Sequence, residues 1–264
     1  MGCLLCHLFL LLVLLFLCTS PAESTDPSGQ FCNTNTNISN NQISANIDYL
    51  LPQLVKGTIL NGYINTSYGK AKNQVYGLSQ CRADVSNEDC SSCIQDAATE
   101  IRTRCPNQAD ARIWYEYCFL RYDINNFFGH VDTAFGIYIY NVEDANDPDT
   151  FNKELGALLD QITTQAVVPG NRGNGRAKNK YTPFLTIYAL VQCTRDLSPL
   201  SCSQCLSIAV GNIPNYCNNK KGCRVLYSSC YLRYELYPFY FPLDSQEGSA
   251  NASMAYYVSV VSKP

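Results

Sequence analysis

Sulfur carries most of the chemistry this chain can offer, with fifteen cysteines against two histidines. Cys81, Cys90, Cys93, Cys105 and Cys118 return 112 residues later as Cys193, Cys202, Cys205, Cys217 and Cys230. Thiols at such spacings can form disulfides, hold zinc, or make a redox pair at Cys90 and Cys93. Zinc needs free thiolates in a closely grouped ligand set. The redox reading has only its Cys-x-x-Cys spacing, which here falls inside a larger cysteine frame. Disulfides account for the whole set, and neither a metal nor a cofactor is expected.

The match extends beyond sulfur. Tyr76, Leu78, Gln80, Asp84, Arg112, Tyr115, Arg121 and Tyr122 reappear as Tyr188, Leu190, Gln192, Asp196, Arg224, Tyr227, Arg233 and Tyr234. The chain is a tandem duplication of one cysteine-framed domain. The sixth cysteine differs between the copies: Cys32 lies far upstream in the first, whereas Cys223 stands opposite Ala111 in the second. If two bridges are common to both copies, the shared cysteine that remains must change partner. Six cysteines allow fifteen pairings, so this leaves the connectivity open.

Catalysis has little to stand on. His130 is the one histidine outside the leader, and no serine sits in a Gly-x-Ser-x-Gly elbow. Carboxylates are plentiful, but the separation that glycoside hydrolysis requires is not a property of sequence. The expectation is a protein that is not an enzyme. Arg172, Arg176, Lys178 and Lys180 cluster in one polar stretch, which reads as a solvated loop with anionic wall polymers or lipid head groups as its alternative partners.

The leader sets the compartment. Leu4 to Leu17 form an apolar run too short to span a bilayer, followed by small residues around Ala22 and Ser24. Residues 1–24 read as a signal peptide that removes Cys3, Cys6 and Cys18 and leaves an even cysteine count for an oxidising compartment. No later span is long enough to anchor the chain, so it is expected to be secreted, extracellular and free of a membrane anchor. Charged residues are only 16% of the chain and the net charge is −3, which argues against nucleic acid as a partner. Sequons at Asn37, Asn65 and Asn251 are candidate glycosylation sites.

Periodicity supplies the elements. Ile43, Ile47, Leu50, Leu51 and Leu54 keep helical spacing, and Phe151, Leu155, Leu158, Leu159 and Ile162 repeat it at an offset of 108. The second copy therefore holds four extra residues before Cys193, and the Gly-, Asn- and Lys/Arg-rich loop over 169–180 is the expected host. Pro52 predicts a kink or an end in the first helix. A second helix follows each Cys-x-x-Cys, the later one ending at Pro214. Strands are predicted over 75–81, 112–122 and 134–140, and again over 185–193, 224–234 and 255–261. The fold class is α+β, with two tandem domains over 25–142 and 143–264, each an antiparallel sheet with two helices, joined in the polar stretch 141–150.

The unit Cys-x8-Cys-x2-Cys, the Gly-Cys-Arg-Val-Leu at 222–226, and Cys230, Arg233, Tyr234 and Glu235 in Cys-x-x-Arg-Tyr-Glu resemble the plant stress-antifungal domain. That domain occurs in ginkbilobin, cysteine-rich repeat secretory proteins, plasmodesmata-located proteins and cysteine-rich receptor-like kinases. Two full frames without a kinase are most similar to the secretory branch. The resemblance implies a five-stranded sheet with two helices and three disulfides per domain. It also implies the pairs Cys32–Cys105, Cys81–Cys90, Cys93–Cys118, Cys193–Cys202 and Cys205–Cys230, which leaves Cys217–Cys223.

The resemblance further implies a sugar site. Ginkbilobin holds mannose with an Asn after the first cysteine, an Arg seven positions after the fourth shared-frame cysteine and a Glu five positions after the last. These fall on Asn33, Arg112 and Asp123, where Asp shortens the acceptor by one methylene. A weaker second site would use Asn141, Arg224 and Glu235, and the Cys32–Cys105 tether at Asn33 makes the first repeat the expected stronger binder. The function so implied is an apoplastic binding protein for mannose-containing glycans of fungal or plant walls, with a defence or stress role. The alternative is an extracellular protein-interaction module without sugar binding.

Overall fold

The computed structural model describes residues 26–242 and 257–262, so the leader and the Asn251 sequon lie outside the described residues. Helix α1 (Asn41–Asn61) starts on Asn40, whose side chain accepts the Ile43 amide, and stops on Gly62 at φ 70. A residue without Cβ takes that left-handed cap at little cost. α1 runs past Pro52 without ending. The proline lies on the solvent face, where the carbonyl it leaves unpaired meets water, while Ile47, Leu50 and Leu54 on the opposite face are fully buried. Helix α2 (Asn87–Arg104) is capped by Ser86, α3 (Pro148–Ala166) by Asp147 and α4 (Pro199–Gly211) by Ser198, each side chain accepting an amide of the first turn. The chain ends α4 at Gly211, three residues before Pro214. Pro214 instead sits in the first turn of the short α5 (Ile213–Tyr216), where its missing N–H is no loss.

Two antiparallel sheets carry these helices. The first has the order β1-β4-β5-β3-β2, from β1 (Gly29–Cys32), β2 (Tyr63–Tyr68), β3 (Val75–Cys81), β4 (Ala111–Trp114) and β5 (Cys118–Asp123). The second has the order β11-β6-β9-β10-β8-β7, from β6 (Gly136–Asn141), β7 (Asn174–Lys180), β8 (Thr186–Cys193), β9 (Cys223–Tyr227), β10 (Cys230–Glu235) and β11 (Tyr257–Ser262). Each long aromatic strand expected over 112–122 and 224–234 is a hairpin, turning at 115–117 and 228–229.

Three placements differ from the sequence expectation. The stretch expected as a loop contains β7, which pairs along β8 despite its polar sequence because an edge strand needs its ladder bonds more than two apolar faces. β2 does the same beside β3 in the first repeat. β6, expected to complete the first sheet, pairs with β9 and β11 in the second, so residues that the 25–142 boundary assigns to the first repeat are hydrogen-bonded into the other sheet. β6 is the counterpart of β1. Asn141 N donates to Gly222 O as Asn33 N donates to Asp110 O, and both offsets agree with the duplication. The four extra residues divide: opposite Gln80 and Gln192 stand Tyr63 and Asn174, so three lie between α3 and β7 and one in the β7–β8 turn.

Strand alternation then decides what faces what. Ala111, Ile113, Leu120 and Tyr122 point to the helices and join Ile47, Leu54, Ile94 and Ile101 in the first core. Val225, Leu232 and Tyr234 do the same against Phe151, Leu158 and Leu206 in the second. The opposite faces meet each other. Trp114, Phe135, Ile137 and Leu226 form a third cluster between the two sheets, flanked by Phe31, Phe119, Ile139 and Tyr231.

Six disulfides lock the frame: Cys32–Cys105, Cys81–Cys90, Cys93–Cys118, Cys193–Cys202, Cys205–Cys230 and Cys217–Cys223. These are the pairs the family resemblance implies. The variable bridge closes 73 residues in the first repeat and only 6 in the second. The entropy removed from the unfolded chain grows with loop length, so Cys32–Cys105 should contribute about 4 kcal/mol and Cys217–Cys223 about 2 kcal/mol. Paired Cys→Ser variants compared by guanidinium unfolding should show this ratio, with non-reducing peptide maps reporting no free thiol in the parent.

Candidate functional site

The polar residues shared between the repeats converge where the two sheets face each other, and they do so with an approximate two-fold axis. Gln80 Nε2 donates to Cys193 O at 2.9 Å and Gln192 Nε2 to Cys81 O at 3.0 Å. Their Oε1 atoms accept the amides of Arg195 at 2.9 Å and Ala83 at 2.8 Å, themselves equivalent positions. Both glutamines are buried, so each amide is satisfied only because the other repeat is present. Trp114 Nε1 adds a bond to Tyr227 O at 3.1 Å.

The arginines occupy the same face. Arg112 stands directly opposite Arg121 in the β4–β5 ladder, and Arg224 directly opposite Arg233 in β9–β10. Like charges opposed across a ladder repel, the more so in a buried site. Each pair is therefore bridged by a carboxylate from outside its own sheet. Glu116, in the first repeat's β4–β5 turn, accepts from Arg224, Arg233 and, at 2.8 Å, Arg82. Its counterpart Ser228 accepts from Arg112 Nη1 at 2.8 Å but carries no charge. Asp132, in the connection to β6, supplies it, lying 3.1 Å from Arg112 Nη1 and 2.9 Å from Arg121 Nη1. Burial alone would raise the Glu116 carboxyl, but Arg233, Arg224 and Arg82 together hold it below the ordinary glutamate range.

The expected sugar-binding residues lie inside this network. In the first repeat, Asn33 Nδ2 donates to Asp110 Oδ2 at 3.0 Å, and Arg112 Nη2 donates to both Asp110 oxygens at 3.3 Å. Asn33 and Arg112 thus share Asp110. Asp123 shares no hydrogen bond or ion pair with either; it accepts from Arg121 at 3.3 Å and from the Asn125 amide at 2.9 Å. Burial, then the nearby Asp110 carboxylate, raises the Asp123 carboxyl above its ordinary value. Arg112 and Asp123 are each 6% exposed.

In the second repeat, Arg224 lies 3.9 Å from Glu235, which is fully buried and accepts from Arg233 at 2.9 Å and from the Tyr257 hydroxyl at 2.6 Å. Asn141 Oδ1 accepts the Glu143 amide at 2.9 Å. The Asp-for-Glu difference between the copies has a local cause. Position 110 is Asp and its counterpart is Gly222, where a Cβ would come within 2.0 Å of Glu235 Oε2. One repeat fills the space with Asp110 and a short Asp123, the other with a longer Glu235 over a glycine.

Gln80, Arg121 and their equivalents stand out in the sequence as shared positions without an evident role, and Glu116, Asp110 and Asp132 carry no repeat or motif that singles them out. The absence of repetition at 116 and 228 was the available signal, since a carboxylate facing a serine suits an interface that is symmetric in backbone but not in charge. His130 is exposed in the connection, where its carbonyl accepts from Ser229 at 3.3 Å. Asn37 and Asn65 are exposed. Among the described residues no three His, Cys, Asp or Glu side chains gather as metal ligands, and no helix is long and apolar enough to cross a membrane.

Two disulfide-framed α+β units fused face to face define a tandem extracellular module. The family description "Salt stress response/antifungal" matches residues 31–125 and 140–237, and the chain belongs to this stress-antifungal family of secreted cysteine-rich repeat proteins. It is 55% identical to cysteine-rich repeat secretory protein 55 of Arabidopsis thaliana, covering 89% of this chain and 90% of that protein. It is 37% identical to an antimicrobial ginkbilobin-2-like protein of Castanea crenata, covering 86% and 94%. Among solved structures it is similar to the tandem DUF26 ectodomain of the Arabidopsis thaliana cysteine-rich receptor-like protein PDLP8, with a TM-score of 0.71, 28% identity, and coverage of 79% of this chain and 97% of that one. The protein is secreted and extracellular, like the relatives named for it.

Replacing Glu116 by Gln removes the charge that three arginines share, and should cost about 2–4 kcal/mol, at the lower side of buried ion pairs because the carboxylate is partly solvated. The folded carboxyl is depressed, so its contribution is present above the unfolded value of about 4.3 and is lost as pH falls through the folded value. Denaturant unfolding should show a constant gap between parent and Glu116→Gln from pH 7 to 5, closing below about pH 4.

Proposed function

We propose that the protein is a non-catalytic binding module of the apoplast, with a role in defence or stress responses, that recognises a protein partner through its outer surface. The observation that carries this reading is the commitment of Arg112. Its guanidinium serves Asp110, Asp132 and Ser228 at once, so mannose could be held there only by dismantling the seam between the repeats. A sugar hydroxyl replaces such charge-assisted bonds with weaker neutral ones. The similarity to the tandem ectodomain of a receptor-like protein supports the same reading.

One observation favours carbohydrate recognition in the other repeat. Asn141, Glu143, Tyr181, Lys221, Glu235 and Tyr237 line an open cavity of about 250 Å3, enough for a monosaccharide and below the roughly 300–1,000 Å3 of larger ligand sites.

Calorimetric titration with mannose and an oligomannoside separates these readings. The expected result is no saturable heat at millimolar sugar. Saturable heat abolished by Asn33→Ala would overturn the proposal in favour of the first-repeat sugar site. Heat that survives Asn33→Ala but is lost in Lys221→Ala would assign sugar binding to the second repeat.

A further inference from the structure

The insertion that distinguishes the second repeat has a destination. α1 passes through Gly62 directly into β2, whereas seven residues separate Ala166 at the end of α3 from Asn174 at the start of β7. Those residues carry Arg172, in the left-handed region at φ 53, a conformation that residues other than glycine rarely adopt. Arg172 is exposed and, among the described residues, makes no hydrogen bond or ion pair. Beside it lies Arg195, which stands where the first repeat has Ala83. Arg195 Nη1 crosses the seam to donate to Asn61 O at 2.9 Å, at the last turn of α1. Burial, then the Arg172 cation, lowers the affinity of the Arg195 guanidinium for its proton.

Two grooves meet at this pair. One, of about 520 Å3, runs into the first repeat past Leu60, Asn61, Tyr63 and Asn87; the other, of about 350 Å3, runs into the second past Val168, Leu197 and Pro199. Arg172 and Arg195 line both, and no Asp or Glu lines either. Arg82, also on the wall, is already neutralised by Asp84 and Glu116. The Tyr63 hydroxyl has no partner. Elsewhere on this seam each arginine pair has a bridging carboxylate within the chain. Here two arginines are brought together by residues that break the two-fold symmetry, and none is supplied.

We propose that the carboxylates come from outside, and that this groove binds an acidic oligosaccharide, a chain of uronate units. Planar guanidinium groups take carboxylates in two-bonded geometry. A uronate chain presents carboxylates at intervals with hydroxyls between them, and so fits two cations set in a long groove whose other polar walls are the neutral amides of Asn61 and Asn87. The proposal is independent of the protein-partner reading, which concerns the outer surface.

The test is a titration of the disulfide-intact protein with a defined oligogalacturonide, its fully methyl-esterified form, tetraglutamate and inorganic phosphate, repeated at two salt concentrations. Binding of the acid form that is lost on esterification, weakens with salt, and falls about tenfold in Arg172→Gln is the expected result. Arg172→Gln is the clean variant because Arg172 supports no other group, and an unchanged unfolding midpoint verifies it. Arg195→Lys, which keeps the charge but loses the fork, should fall by a smaller factor. No binding of the acid form, equal binding of the ester, or full affinity in Arg172→Gln would overturn the proposal. Tighter binding of tetraglutamate or phosphate would overturn it too, in favour of an acidic peptide or a phosphate group.

Discussion

Two pairs of arginines set directly opposite one another on adjacent strands are the constraint on which the rest of this structure depends. Arg112 with Arg121 and Arg224 with Arg233 place four guanidinium groups on sheet faces that bear no helix. A single domain would leave those faces in water. Pressed together, the faces bury Trp114, Ile137 and Leu226 and gain apolar contact, but the arginines must then be neutralised at low dielectric. Glu116 and Asp132 do this from the turn of the other repeat and from the connection. Fusion of the repeats and neutralisation of the arginines are therefore one event. The reciprocal glutamines, Gln80 and Gln192, fix the register of the two halves because each amide finds its partners only in the opposite copy.

Much of the frame was legible in the sequence because it is local or repeated. Helical spacing located α1 and α3 through their buried residues, and the offsets of 108 and 112 located the insertion. The strands β2 and β7 were not legible, since an edge strand such as Asn174–Lys180 is held by ladder bonds rather than by an apolar pattern. The sheet to which β6 belongs was equally hidden: its sequence says strand, but only the β6–β9 ladder says which partner. The hairpin turn at 115–117 was obscured by the aromatic and β-rich residues on either side of it.

The candidate site was half legible. Residue identity carried Asn33, Arg112 and Asp123 to the end of β1 and onto β4 and β5, and in space Asn33 and Arg112 share a partner. That partner is Asp110, which no spacing rule singles out, and a carboxylate there turns what would be an acceptor-poor pocket into a closed network. The exchange of Asp110 and Asp123 for Gly222 and Glu235 shows the same space filled in two ways. An alignment of repeats reports such an exchange as two unrelated differences; the structure reports it as one.

The seam makes the two repeats a single cooperative unit. Trp114 is the one tryptophan of the chain, 3% exposed and bonded across the seam to Tyr227, so its fluorescence reports the seam directly. Guanidinium unfolding of the disulfide-intact protein, followed in parallel by tryptophan emission and far-ultraviolet circular dichroism, should give one transition with coincident midpoints. A tryptophan transition that precedes loss of the dichroism signal would mean that the repeats separate while folded and that the seam does not couple them.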